Sequence, residues 1–301
     1  MTLLTEQNIF YRRDHVEKAI IFNIQRYSLH DGGGIRTVIF FKGCPFRCPW
    51  CSNPESQNFN PEVMKKRSLC TKCSSSSVYK CKLSPEECPT GALEVVGKEY
   101  TVDEVLNEVK KDIVFYETTG GGVTLSGGEP LSQGIFVTEL LKELKKLGIN
   151  TAIETTGTGK WDIINEISEN VDILLWDFKI MDKEKSKEII CVDVELMKNN
   201  FAKLMKKIEK SNISVKVIPR LPLIPAYTSH IENIKEIIQF VSGFGIKEVD
   251  ILPFHQYGSS KYKALGRKYN LNDLKLLSED EIQNIQNFIQ SYGITAVIGG
   301  N

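Results

Sequence analysis

The chain has 301 residues, 41% hydrophobic and 25% charged, a composition that supports a large buried core and is too apolar for disorder. Its 38 Lys and Arg balance 38 Asp and Glu, so the formal net charge is zero and no basic nucleic-acid footprint is expected. The longest apolar runs, such as 38–41 and 173–176, fall far short of the roughly 20 residues that span a bilayer, and residues 1–20 are too charged for a secretory signal, which makes the cytoplasm the expected address and leaves no membrane partner.

Residues 1–18 carry no clear pattern and are expected to be a peripheral segment. From there, buried strands are predicted over 36–41, 123–125, 151–154, 172–176, 214–218, 248–252 and 295–298. Between them, apolar residues at helical spacing predict helices over 102–111, 135–147, 161–169, 195–210, 231–241 and 279–291. Strands that alternate with helices of this length are joined by crossovers, which makes the sheet parallel and the crossovers right-handed. The expected fold class is α/β, a partial (β/α)6 TIM-like barrel built from 19–55 and 101–301. Chemistry in such a sheet sits just past the C-terminal ends of the strands. Residues 56–100 break the alternation with four cysteines, a serine run at 74–77 and Pro61, Pro85 and Pro89, and read as an inserted small module.

Seven of the eight cysteines fall between Cys44 and Cys88. In a reducing compartment such crowding points to metal ligands or redox centres rather than disulfides. Directly after the first predicted strand, Cys44, Cys48 and Cys51 are spaced C-x3-C-x2-C. A structural zinc site usually takes four ligands in paired half-sites, and this loop offers three thiolates with no histidine after it. A cubane iron–sulfur cluster fits better, because three thiolates leave one of its irons open to a substrate. A zinc knuckle is the alternative.

That loop, with Gly127-Gly128-Glu129-Pro130 after the second predicted strand, resembles the radical S-adenosylmethionine superfamily. The runs Ser28-Leu29-His30-Asp31-Gly32-Gly33-Gly34-Ile35-Arg36-Thr37 and Phe41-Lys42-Gly43-Cys44-Pro45 resemble the activating enzymes of glycyl radical enzymes, as does Cys51-Ser52-Asn53-Pro54-Glu55-Ser56. The best-known branch of that family serves pyruvate formate-lyase (formate C-acetyltransferase), the type expected here. One departure is Gly33, where the family usually has proline.

The resemblance implies that Cys44, Cys48 and Cys51 hold the 4Fe-4S cluster that cleaves S-adenosylmethionine. It implies that Gly127 and Gly128 bring backbone close to the methionine moiety and that Glu129 accepts from its ammonium group. Glu154, where relatives usually have Asp, and Asp177 are expected to line the same site, with Lys179 reaching the methionine carboxylate. Arg220 is expected to contact the cofactor, and His255 to lie near adenine and ribose. Glu154 and Asp177 at adjacent strand ends repel unless positive charge intervenes; Lys179 supplies one charge, which leaves a place for a monovalent cation.

In the insert, Cys70-x2-Cys73-x7-Cys81-x6-Cys88-Pro89 ends like a bacterial ferredoxin. Its four thiolates suffice for an auxiliary 4Fe-4S cluster, with zinc as the alternative. Cys191, beside Ile189 and Ile190, reads as buried and inert.

The expected activity is reductive cleavage of S-adenosylmethionine to methionine and a 5′-deoxyadenosyl radical, which takes a hydrogen from a backbone glycine of a partner glycyl radical enzyme. Reduced flavodoxin or ferredoxin is the expected electron donor, and a monomer the expected state. The alternatives are a radical enzyme acting on another peptide or a small molecule, and a ferredoxin-type electron carrier.

Overall fold

A computed structural model describes residues 17–211 and 213–300, so the segment expected to be peripheral lies outside the described residues up to residue 16. In chain order the strands are β1 (Lys18–Ser28), β2 (Arg36–Phe41), β3 (Glu62–Lys65), β4 (Leu93–Val96), β5 (Lys98–Thr101) and β6 (Gly122–Gly127). They continue with β7 (Asn150–Thr155), β8 (Ile173–Asp177), β9 (Lys216–Leu223), β10 (Glu248–Pro253) and β11 (Thr295–Ile298). The helices are α1 (Val102–Val109), α2 (Ile113–Thr119), α3 (Gly134–Lys146), α4 (Trp161–Ile167) and α5 (Lys183–Lys185). After them come α6 (Val194–Lys210), α7 (Ile231–Ser242), α8 (Ser259–Ala264) and α9 (Glu279–Gln290).

Nine strands form one sheet in the order β11-β10-β9-β8-β7-β6-β2-β1-β5. Every pair from β2 to β11 is parallel, whereas β1 runs antiparallel to both β2 and β5. The two end strands do not pair with each other, so the barrel is partial.

Helices form where apolar residues recur on one face and a side chain closes the first turn. In α3, Phe136, Val137, Leu140, Leu141 and Leu144 fall on one stripe and are all buried. They pack on Val123 and Leu125 of β6 and Ile153 of β7 in the main core. Thr101 and Glu104 at α1, and Ser278 and Glu281 at α9, form reciprocal capping boxes. Truncating a fully buried member of the core such as Leu140 to Ala is expected to cost about 2–5 kcal/mol.

Three elements depart from the sequence reading. β1 carries no prediction: its apolar run is short, 19–22, and gives way to Asn23, Gln25 and Arg26, and beyond Ala19 and Ile21 its residues are partly or fully exposed. β9 extends five residues past the predicted 214–218 end, through Pro219 and Pro222, which read as strand breakers in a sequence. Their neighbours on both sides are nevertheless in register, Trp176 with Pro219 and Leu252 with Pro222. Cys191 is exposed rather than buried, because φ is +59° at the turn before α6 and swings its side chain outward. Among the described residues no helix is long and apolar enough to cross a membrane.

Candidate functional site

β2 runs directly into the cysteine loop, and the sequence fixes that loop at several points. Gly43 takes φ of +92°, and its N–H donates to the Ser56 carbonyl at 2.7 Å. The Cys51 N–H donates to the Cys48 carbonyl at 3.1 Å, and the Arg47 guanidinium donates to the Cys44 carbonyl at 2.8 Å. Phe46 and Trp50 anchor the loop in a second apolar cluster with Ile190, Ile224, Phe254 and Tyr262.

Gly127 and Gly128 join this loop to β6. A Cβ on Gly127 would sit 2.7 Å from the Phe41 nitrogen, and one on Gly128 the same distance from the Gly43 carbonyl oxygen. Here the missing side chains let β6 press against β2 and the start of the cysteine loop. Two bonds lock the contact: the Gly128 N–H donates to the Phe41 carbonyl at 2.8 Å and the Glu129 N–H to the Gly43 carbonyl at 3.0 Å.

The Glu129 carboxylate is buried and fully engaged. Its Oε1 accepts from Thr155 Oγ1 at 2.6 Å and the Leu131 N–H at 3.2 Å. Its Oε2 accepts from the Thr156 N–H and Oγ1, both at 2.9 Å. Those four bonds fill about all the acceptor positions a carboxylate has. Burial nonetheless outweighs them and holds the carboxyl above the ordinary range. In this arrangement Glu129 ties the end of β6 to the end of β7, and accepting from a ligand ammonium group would require it to exchange one of these bonds.

The next strand ends carry a compact charge network. Arg220 bridges two carboxylates, its Nη1 lying 2.5 Å from Glu154 Oε1 and its Nε 2.9 Å from Asp177 Oδ1. Lys179 Nζ lies 2.7 Å from Asp177 Oδ2, and Ser126 Oγ donates to Glu154. Burial opposes ionisation of Asp177, but Arg220 and Lys179 outweigh it and hold the carboxyl below the usual range. At Glu154 burial wins over Arg220 and the carboxyl is pushed up. Two cations thus face two carboxylates. Arg220 is the charge missing from the sequence argument for a monovalent cation, which counted Lys179 alone.

All of these groups open onto one cavity of about 330 Å³, lined by Cys44, Cys48 and Cys51 together with Gly127, Gly128, Glu129, Glu154, Asp177, Lys179, Arg220 and His255. The structure therefore brings together every residue expected from the sequence to hold the first cluster or its cofactor. Ser126 was not anticipated; only its place two residues before Gly128 on the strand could have signalled it. His255 lies exposed at the rim with its ring stacked 4.3 Å from Tyr257, and partial burial lowers its pKa.

Free thiols sit uneasily here. Burial pushes Cys44 and Cys51 up and Cys48 to about 12, while Lys179 nearby favours the Cys48 thiolate. A cationic iron–sulfur cluster reverses that penalty, because coordination to iron stabilises thiolates outright. Among the described residues no three Cys, His, Asp or Glu side chains converge as a single metal ion needs. Cluster ligands need not converge, since each binds a different iron. The donor set fits a cluster.

Beside the site, the Asp31 to Gly34 loop is pinned from below. Arg36, fully buried, donates to Thr124 Oγ1 at 2.7 Å, the Val123 carbonyl at 2.9 Å and Asn150 Oδ1 at 2.9 Å. Thr124 Oγ1 in turn donates to the Asp31 carbonyl at 2.7 Å. Burial pulls the Arg36 pKa down to about 10. Gly33 has φ of +84°, which a proline ring cannot adopt, so this loop takes a path closed to a proline-bearing sequence.

In the insert, β3 and β4 form a small antiparallel pair, and Cys70, Cys81 and Cys88 pack against Val78, Ala92 and Leu93. All four insert cysteines line one small cavity. Backbone bonds from Thr90 and Leu93 hold the Cys88 thiol below its ordinary pKa. β5, the last element before α1, leaves the insert to join the main sheet beside β1.

A partial parallel barrel with a C-x3-C-x2-C loop at its mouth defines a protein of the radical S-adenosylmethionine fold. A radical SAM methyltransferase from Sphaerobacter thermophilus has this fold, with a TM-score of 0.55 at 12% identity over 87% of this chain and 66% of that one. The family described as a 4Fe-4S single cluster domain matches residues 30–214. The chain is 39% identical to the pyruvate formate-lyase 2-activating enzyme of Escherichia coli (strain K12), over 96% of this chain and 94% of that one. It is 36% identical to the choline trimethylamine-lyase activating enzyme of Oleidesulfovibrio alaskensis, over 91% of this chain and 96% of that one. The chain belongs to the activating enzymes of glycyl radical enzymes.

Proposed function

We propose that the chain cleaves S-adenosylmethionine reductively and uses the resulting radical to remove a hydrogen from a backbone glycine of a glycyl radical enzyme. The observation that carries this reading is the single cavity shared by the three cysteines and the strand-end residues. Cys44, Cys48 and Cys51 would hold a 4Fe-4S cluster, which when bound would supply one electron and an open iron for cleavage of the sulfonium to methionine and a 5′-deoxyadenosyl radical. The chain's own residues bind and orient. Lys179 and Arg220, preset by Asp177 and Glu154, present positive charge to the methionine carboxylate. His255 and the Tyr257 ring stacked on it form a flat surface at the rim suited to adenine. Hydrogen transfer breaks the glycine Cα–H bond and forms a C–H bond on the 5′ carbon, so no general acid or base is required. The proposal does not include a monovalent cation, since two cations already face the two carboxylates. Incubation with dithionite and S-adenosylmethionine should release 5′-deoxyadenosine; none from fully reconstituted protein would refute the reading.

Identities of 39% and 36% to activases of two different lyases do not separate the partners. The proposed partner is therefore a glycyl radical enzyme as a class, with the pyruvate formate-lyase type the first to assay. Reduced flavodoxin or ferredoxin is the proposed donor, a monomer the proposed state and a reducing cytoplasm the proposed setting.

Cys70, Cys73, Cys81 and Cys88, gathered around one cavity of the ferredoxin-like insert, are proposed to hold an auxiliary 4Fe-4S cluster. A Cys73→Ser/Cys88→Ser variant should lose about half the iron and keep the first cluster, because two complete sites of equal size share the metal. Unchanged iron, or zinc in the native protein, would overturn the assignment.

A further inference from the structure

The main sheet leaves one strand edge open beside a charged groove. β1 pairs with β5 only over Lys18–Ile21, while its pairing with β2 continues to Ser28. Among the described residues no strand covers the other side of 22–28. Its main-chain groups there are available to an extended partner.

Against this edge lies a groove of about 600 Å³, larger than the cysteine-lined cavity, walled by β1, Phe40 of β2, the insert and α8. Five cations line it, Lys65, Lys66, Arg67, Lys261 and Lys263, against two carboxylates, Glu55 and Glu94. Both carboxylates are engaged, Glu94 by Lys66 and Glu55 by Lys261 at 2.6 Å. Lys65 Nζ reaches only the Tyr79 carbonyl at 3.5 Å, and the exposed Arg67 and Lys263 form no ion pair among the described residues. Three cations are thus left unbalanced on a chain whose net charge is zero.

We propose, resting on the activase reading, that this edge and groove dock an extended acidic segment of the partner protein, flanking the loop that carries the reactive glycine. Main-chain pairing with β1 supplies affinity that tolerates sequence variation, and the unpaired cations select negative charge and speed encounter. Residues 22–28, whose pairing with β2 shifts register before Asn23 and before Ser28 and in which Tyr27 has φ of +63°, offer a bent track somewhat shorter than the about 20 Å of a straight strand. The start of the track lies beside Ile21, which pairs with Phe41 at the end of β2 where the chain enters the cysteine loop, so a segment laid along it runs up to the cysteine end of the sheet. A strand edge alternates N–H donors with carbonyl acceptors; a phosphodiester can accept from the first and has no donor for the second, whereas a peptide main chain serves both, which favours a protein over a nucleic acid.

The test uses the iron-loaded full chain and a fluorescein-labelled peptide of alternating Glu and Val. Anisotropy should show binding that weakens with added salt, and hydrogen exchange should show new protection at the amides of 22–28. A Lys65→Glu/Arg67→Glu/Lys263→Glu variant should bind about tenfold or more weakly, and Arg67→Ala should fall between it and the parent. Both should release 5′-deoxyadenosine from S-adenosylmethionine and dithionite at the parent rate. Undiminished binding by the triple variant, or no protection at 22–28, would overturn the proposal. Tighter binding of an oligothymidylate would overturn it too and assign the groove to nucleic acid. Failure of the activase reading is seen separately, as a parent protein that makes no 5′-deoxyadenosine.

Discussion

Replacing Cys48 with alanine is expected to abolish release of 5′-deoxyadenosine in a reconstituted, dithionite-reduced assay. The loop between Cys44 and Cys51 offers three thiolates and no fourth ligand, so losing one leaves two to hold four irons. Burial opposes the Cys48 thiolate, and Lys179 is the charged group that most favours it. The variant should lose the first cluster's iron and keep the fold, because Phe46 and Trp50, buried in the second apolar cluster, still anchor the loop. Cys191→Ala provides the control. Its thiol is exposed and takes no part in the cavity, so activity should match the parent. Substantial cleavage by Cys48→Ala at low iron content would contradict the assignment of the triplet.

The second large effect is expected at Arg220. Arg220→Ala leaves Glu154 and Asp177 facing the same cavity with Lys179 as their one remaining cation. Breaking a buried pair in this way typically costs about 3–5 kcal/mol, because the partner charges stay buried and uncompensated. In a domain of this size that corresponds to a fall in Tm of roughly 10 °C. Arg220→Lys should recover part of it, since an ammonium keeps the charge but lacks the planar fork that spans both carboxylates. The pH dependence follows in sign. The folded-state pKa of Asp177 lies below its unfolded value, so its contribution is full above the ordinary carboxylate range and is lost as pH falls through the depressed pKa. Removing Arg220 removes the main cause of that depression, so the variant's stability deficit is largest near neutral pH and narrows in acid. A deficit independent of pH, or no change in Tm, would show that the network does not act through charge.

Much of this site is legible in the sequence because it is local. The cysteine spacing, Gly127-Gly128-Glu129 and the strand-end positions of Glu154 and Asp177 all lie in short runs whose chemistry does not depend on distant partners. The parallel strands are legible for a similar reason: strands buried on both faces, such as β2 and β8, carry unbroken apolar runs at 38–41 and 173–176. What is not legible comes from pairing. That Glu129 is satisfied by Thr155 and Thr156 depends on β6 lying beside β7. That Arg220 stands between Glu154 and Asp177 depends on β9 continuing through Pro219, so that Asp177 and Arg220 fall in register. β1 is not legible because its apolar run is only four residues long and its second half, unpaired on one side, is polar, and the exposure of Cys191 is not legible because two isoleucines stand beside a left-handed turn that no local pattern announces.

The central claim is hydrogen transfer from a protein glycine, and isotope transfer reads it most directly. A glycyl radical enzyme prepared with α-deuterated glycine is incubated with the reconstituted chain, S-adenosylmethionine and reductant, and the 5′-deoxyadenosine is analysed by mass spectrometry. Deuterium should appear in the nucleoside as the partner acquires its radical, and exchanging the reactive glycine for alanine should suppress both. Release of 5′-deoxyadenosine without deuterium from any such partner, together with efficient transfer from a deuterated small metabolite, would contradict the claim.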